Sequence, residues 1–236
     1  MTIYHDKSSN ELDAMAGETG VKLLDFWVSP FGMRCRIALA EKEVDYELLE
    51  QNLKDKSELL LKSNPVHKKI PVLLHDGKPI CESLIIVQYI DEVFPGKSSI
   101  LPSDPYARTH ARFWADFVDK KVPSSALLML KLRKGEELEE AKKDFKETLR
   151  TLEAELGEKK YFGGEEFGLI DITLATYEPW LHSFEVFADL SVEKECPRLV
   201  AWWKRCAARE SVAKVLPDAM KLHDYFCATR KQFGIE

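Results

Sequence analysis

The chain has 236 residues, 45 % of them hydrophobic and 31 % charged, with 34 basic against 40 acidic side chains and a formal net charge of -6. That length suits one large or two small domains with a sizeable core. The acidic balance and the lack of a basic stripe exclude nucleic acid and anionic membrane as partners, and no apolar run approaches the roughly 18 residues of a membrane span.

In chain order, Met1 to Gly20 is polar and acidic. It lacks the apolar core of a secretory signal and the arginines of a transit peptide, and reads as a disordered extension. Met15-Ala16-Gly17-Glu18 within it equally suits an alternative start. Val21 to Trp27 reads as a strand, Pro30 to Glu43 as a helix, and Asp45 to Leu49 as a second strand. Lys56 to Lys62 reads as a short helix with Asp55 as its cap. Pro71 to His75 meets Pro79 to Cys81 across Asp76-Gly77, a hairpin signal. Ser83 to Phe94 is helical again. Residues 21–94 therefore describe a small α/β domain on four strands, a βαβ half joined to a ββα half.

Residues 95–105 have the composition of a linker, with Pro95, Gly96, Ser98, Ser99, Pro102 and Pro105. Beyond them the strand signals stop. Apolar residues at 138, 141, 145, 149, 152 and 156 form one helical stripe, with Gly157 placed to end it. Further helices are expected over about 106–122, 171–187, 197–209 and 217–231, with Pro123 bending or ending the first. Residues 106–236 thus read as an all-helical domain.

The five cysteines, at 35, 81, 196, 206 and 227, are odd in number and hold no Cys-x-x-Cys pair, which fits reduced thiols in a reducing, cytoplasmic compartment. The six histidines show no metal-ligand spacing, so no metal site is expected. No Walker loop, Rossmann glycine fingerprint or Gly-x-Ser-x-Gly elbow occurs.

Four places carry chemistry. Ser29 stands at a strand-to-helix junction with Pro30 at the first helical position. It is an ordinary helix cap, or a hydroxyl at a helix start that favours an anion such as a thiolate. Ile70-Pro71 is a trans proline at a strand edge, or a cis bond that turns the Ile70 backbone outward to pair with an extended, peptide-like ligand. Glu82-Ser83 opens a helix: a cap, or a carboxylate-and-hydroxyl pair for the amine and carboxylate of a ligand. Lys56 and Lys69 are solvated lysines, or point charges for a second carboxylate. Together they would recognise a small peptide with an amine, two carboxylates and a thiol, and glutathione has those groups.

At this point the sequence resembles a soluble glutathione transferase, most closely of the plant tau class, over nearly all of Val21 to Glu236. The resemblance rests on Trp27-Val28-Ser29-Pro30-Phe31-Gly32-Met33-Arg34, Lys56-Ser57-Glu58-Leu59-Leu60, and Asn64-Pro65-Val66-His67-Lys68-Lys69-Ile70-Pro71-Val72-Leu73. Further matches are Glu82-Ser83, Arg112-Phe113-Trp114-Ala115-Asp116, Phe162-Gly163-Gly164-Glu165 and Gly168-Leu169-Ile170-Asp171. It implies a thioredoxin-like N-terminal domain, with a four-stranded mixed sheet, followed by an all-helical C-terminal domain. It implies Ser29 as the catalytic hydroxyl, Lys56 and Lys69 at the glycine carboxylate of glutathione, and Ile70 pairing through its backbone before a cis Pro71. Glu82 and Ser83 would hold the γ-glutamyl end. It also implies glutathione as co-substrate with no permanently bound cofactor, a homodimer, and conjugation of hydrophobic electrophiles or reduction of organic hydroperoxides in detoxification.

Trp27 and Phe31 from the first domain, with Trp180 and Phe226 from the second, are candidates for an apolar second-substrate cleft between the domains; each is as readily core. The chain departs from the family in having Pro123 after Lys120-Lys121-Val122, where an aromatic is common. It also has Gly168 where a polar cap is common, so Asp171 is assigned to folding. Two rival functions stay open and a third is disfavoured. A thiol transferase or dehydroascorbate reductase would use cysteine at position 29. A carrier would bind apolar molecules without turnover, and a dead-site relative would lack the set that Ser29, Lys69-Ile70-Pro71 and Glu82-Ser83 complete.

Overall fold

Leu23 and Leu24 are fully buried in β1 (Val21–Asp25), the strand around which the first half of the chain is built. The computed structural model describes residues 20–96 and 99–235, and the chain divides after Pro95 into two compact units. Met1 to Thr19 of the expected extension, with Lys97 and Ser98 of the linker, lie outside the described residues.

In the first unit β1 leads to α1 (Pro30–Glu41), β2 (Glu47–Glu50), α2 (Glu58–Ser63), β3 (Val72–His75), β4 (Lys78–Cys81) and α3 (Ser83–Val93). The sheet order is β2-β1-β3-β4. β1 is parallel to β2 and antiparallel to β3, and β4 is antiparallel to β3. This mixed sheet with helices, followed by a helical unit, is the fold class read from the sequence. Leu24, Leu60, Val72 and Leu74 form a buried cluster flanked by Leu49, Leu59, Ile70 and Cys81. Burying each such leucine contributes about 1.5–3 kcal/mol. On the helical side, Lys42 and Asp91 form a nearly buried ion pair at 2.7 Å that fastens the end of α1 to α3.

Two boundaries differ from expectation for local reasons. β1 stops at Asp25, short of Trp27, because the Ser29 N–H donates to the Phe26 carbonyl at 2.7 Å and turns the chain. The helix expected from Lys56 begins at Glu58, and its cap is Ser57, not Asp55: Ser57 Oγ accepts from the Leu60 N–H at 3.1 Å. The hairpin forms where Asp76-Gly77 placed it. These residues sit at φ 50° and 73°, the paired left-handed conformation that a two-residue turn needs.

The second unit comprises α4 (Pro105–Lys131), α5 (Glu136–Leu156), α6 (Leu169–Ala175), a 3₁₀ turn (Glu178–Trp180), α7 (Leu181–Ala188), α8 (Val192–Glu195), α9 (Pro197–Ala207), α10 (Glu210–Ala213) and α11 (Ala219–Gln232). All six stripe positions of α5 are buried. Two expectations are corrected. α4 does not end near residue 122 but runs through Pro123, where burial of Val122, Pro123, Ser125 and Ala126 holds the helix together. The single helix expected over 171–187 is broken into α6, the 3₁₀ turn and α7, with Pro179 at the break. The short helices α8 and α10 had no periodic signal. Among the described residues no helix is long and apolar enough to cross a membrane.

Candidate active site

Strand direction alone gathers most of the singled-out residues at one end of the first unit's sheet. Asp25, at the C-terminal end of β1, lies opposite Glu50, the C-terminal end of β2. Leu24 lies opposite Val72, the first residue of β3, and Val72 lies opposite Cys81, the last of β4. Four chain segments therefore leave or enter the sheet at the same end. They carry Ser29 after β1, Lys56 after β2, Lys69-Ile70-Pro71 before β3, and Glu82-Ser83 after β4. The Ile70–Pro71 peptide is cis.

Ser29 is the N-cap of α1, with extended backbone (φ -68°, ψ 118°). Its Oγ accepts the Gly32 N–H at 3.3 Å, and its carbonyl accepts the Met33 N–H at 3.1 Å. A serine hydroxyl holds one donor and two acceptor positions. With the cap using an acceptor, the proton is left to donate to an anion outside the helix. The N-terminal end of the helix dipole adds positive potential at the same place.

The segment before β3 is fixed by Asn64. Its carboxamide Nδ2 donates to the Lys69 carbonyl at 2.9 Å, and its Oδ1 accepts the His67 N–H at 3.1 Å. Lys56 Nζ donates to the Lys68 carbonyl at 2.8 Å, so that ammonium is already drawn over the segment. Lys69 is exposed. Lys68 and Glu82 hold positive φ, 54° and 70°, in a region that side chains normally avoid. Such conformations concentrate at functional sites. Glu82 makes no cap bond to α3, and its half-exposed carboxylate lies 3.9 Å from His67 Nε2.

Ser83 is buried, and its Oγ accepts from Arg34 Nη1 at 3.1 Å. Arg34 is itself fully buried on α1 and stacks over the Phe31 ring at 4.8 Å. One guanidinium therefore ties the Ser83 helix start to the helix that Ser29 caps. Sequence reasoning missed Arg34 and Asn64 as positioning residues; the Asn64-Pro65 dipeptide was a turn signal that would have found the second.

Gly32 was also missed. A Cβ there would stand 1.6 Å from Asp25 Oδ1, so the first turn of α1 rests directly on a buried carboxylate. We expect Gly32→Ala to lower stability by about 1–3 kcal/mol, as overpacking does. A urea midpoint shift at unchanged m would show it; wild-type stability in the variant would contradict the contact.

Trp27 and Phe31 are half-buried beside Ser29, with the Trp27 N–H donating to Glu50 Oε1 at 2.9 Å. Trp180 and Phe226 belong to the second unit. They pack on each other at 4.7 Å and are buried, with 6 % and 7 % of their surface exposed, so most of each ring serves that unit's own core.

Asp171 is fully buried, and the structure gives it a folding role. Its Oδ2 accepts the Gly168 N–H at 3.0 Å, and its Oδ1 accepts the Phe162 N–H at 3.0 Å and Trp202 Nε1 at 2.9 Å. Gly168 fits because a Cβ there would come within 3.0 Å of the Ile100 carbonyl oxygen.

Comparison with known proteins places this geometry. Residues 19–92 match the model of the glutathione S-transferase N-terminal domain, and residues 114–210 that of its C-terminal domain. Glutathione S-transferase U25 of Arabidopsis thaliana is 58% identical over 216 residues, 92% of this chain and 97% of that protein. The probable glutathione S-transferase parC of Nicotiana tabacum is 56% identical over 223 residues, 94% of this chain and 100% of that protein. Rice GST1, solved in complex with glutathione, has a TM-score of 0.87 at 48% identity, covering 92% of this chain and 98% of that one. The tau-class glutathione S-transferase of mango has a TM-score of 0.83 at 45% identity, covering 89% and 98%.

Proposed function

Because the chain belongs to the glutathione S-transferase family, and to its tau class, we propose that Ser29 is the residue that activates its co-substrate. The chain is a glutathione transferase and glutathione is that co-substrate. In the proposed mechanism the Ser29 hydroxyl donates to the glutathione sulfur and stabilises its thiolate. A free thiol has a pKa near 8.5. Each unit by which the site lowers it corresponds to about 1.4 kcal/mol of preference for the thiolate. The thiolate then attacks an electrophilic carbon, forming the C–S bond as the leaving group departs, or attacks the terminal oxygen of an organic hydroperoxide, breaking the O–O bond and releasing the alcohol. In the second case another glutathione thiol displaces water from the resulting sulfenic acid to give glutathione disulfide. The observation that carries this reading is the Ser29 cap, which uses an acceptor of Oγ and leaves its proton to donate.

The other glutathione contacts follow the ends of the sheet. Lys56 and Lys69 meet the glycine carboxylate, the Ile70 backbone pairs with the cysteinyl unit beside Pro71, and Glu82 and Ser83 hold the γ-glutamyl end. Trp27 and Phe31, half-buried next to Ser29 in the chain, meet a hydrophobic electrophile. Homodimer formation is supported by Tyr106 and Phe113, exposed on α4 at 81% and 61%. A cytoplasmic setting is supported by five cysteines with no disulfide among them. Disulfide exchange through Cys35 is disfavoured: the thiol is fully buried, and burial holds its pKa well above the usual thiol range.

Turnover of an aryl halide with glutathione tests the conjugating reading. Binding of an apolar dye without any turnover would instead favour a carrier. Lys56→Met and Lys69→Met are each expected to raise KM for glutathione about fivefold with kcat nearly unchanged, as loss of an exposed charge pair does. Unchanged KM in both would remove the lysines from the site.

A further inference from the structure

The Ser29 cap has a buried neighbour that the mechanism above does not use. Asp25 ends β1 with no exposed surface. Arg36 Nε stands 3.2 Å from its Oδ2, and the Phe26 N–H also faces it, neither in a geometry that makes a full hydrogen bond. The other ionisable groups facing this carboxyl are Cys35 on α1, Glu50 on β2 and Tyr46 just before β2. Above it lies Gly32, whose missing Cβ makes room for the carboxylate and whose N–H donates to Ser29 Oγ. One residue therefore separates the buried acid from the hydroxyl.

We propose that Asp25 is a positioning residue of the thiolate site, acting through Gly32: its carboxyl group braces the first turn of α1, and its charge sets the potential that this turn presents at Ser29. The proposal rests on the reading of Ser29 as the thiolate's donor. Burial pushes the Asp25 carboxyl up to about 7, against the opposing pull of Arg36. Below that pH the carboxyl is neutral and the Arg36 cation adds to the positive end of α1. As pH rises through 7 the carboxylate forms, cancels Arg36 and opposes the thiolate. The acid therefore damps the gain in thiolate that rising pH would otherwise bring.

The test is an ultraviolet titration of the thiolate of enzyme-bound glutathione in the full chain. Near pH 7 the acid is half-ionised and the Asp25–Arg36 pair carries about half a positive charge. Asp25→Asn keeps the shape under Gly32 and leaves the whole Arg36 charge, so the bound thiol pKa is expected to fall by about half a unit. That is half of what a unit charge produces over roughly 10 Å at an effective dielectric constant of about 20. Arg36→Gln removes the cation and leaves the buried acid neutral, so the same pKa is expected to rise by about as much. Opposite signs support the proposal. A merely structural defect moves both variants the same way or neither, and either result overturns it; if Asp25→Asn does not fold, an unmoved or lowered pKa in Arg36→Gln does so alone. Ser29→Ala, measured alongside, is expected to raise the bound thiol pKa. A failure there overturns the Ser29 reading, whereas normal behaviour there with unmoved Asp25 and Arg36 variants overturns only this proposal.

Discussion

Ser29→Ala is expected to lower kcat for aryl-halide conjugation by about 10²–10³-fold, the usual effect of deleting one donor to a developing or stabilised anion. Binding of glutathione should change little, because the peptide's charged ends are held elsewhere, by Lys56, Lys69, Glu82 and Ser83. The same variant loses the cap bond from the Gly32 N–H, so it should also be less stable by about 1 kcal/mol. The two effects separate on measurement. Ser29→Gly restores most of the cap stability but none of the donor, and should be as inactive as alanine. Ser29→Cys should shift activity toward disulfide exchange, because a thiolate there attacks sulfur. Full conjugating activity in Ser29→Ala would sink the mechanism.

Asp171→Ala is expected to be the most destabilising single change outside the catalytic end. It leaves two buried donors, the Phe162 N–H and the Trp202 indole, and the half-buried Gly168 N–H without their acceptor. Each unsatisfied buried donor costs about 1–3 kcal/mol, so a loss of roughly 4 kcal/mol or more is expected. For a chain of this size that lowers Tm by about 8–16 °C. Asp171→Asn should lose less, since an amide oxygen replaces Oδ1 and only the Gly168 N–H then faces a donor. The pH dependence adds an independent check. Burial pushes the Asp171 carboxyl up to about 6 from 3.8, against the pull of its three donors. The folded state therefore binds this proton more tightly than the unfolded one. The associated stability is fully present below about pH 4, is lost as pH rises through about 6, and is level above that. Asp171→Asn should remove this slope, and a slope that survives the substitution would assign it to another group.

What the sequence disclosed, and what it withheld, follows from the range of the interactions. The Asp76-Gly77 hairpin and the α5 stripe were legible because turn chemistry and helical period are written within a few residues. Ser29 was legible because its role as a cap is local. Ser57 was mistaken for Asp55 because both are good caps only two residues apart, and the choice depends on which helix phase buries Leu60. Pro123 was read as a bend or an end because proline lacks the N–H a helix interior uses. In α4 the hydroxyls of Ser124 and Ser125 donate to the Lys121 carbonyl, and the buried flank outweighs the local preference. Arg34 was out of reach because its partner Ser83 lies 49 residues away in sequence. Asp25 carried no local signal at all; only the fold sets Gly32 over it and Arg36 beside it.

The sheet of the first unit has a consequence for how copies of the chain meet. Its two outermost strands are β2 and β4. β2 carries Glu47 and Glu50, and β4 carries Pro79, which has no N–H to give to a neighbouring strand. Charge on one rim and a missing donor on the other are the features that discourage strand-to-strand growth. Self-association of this chain should therefore proceed through side chains and leave the sheet four strands wide, and a dimer should show no added β-structure by circular dichroism relative to the monomer.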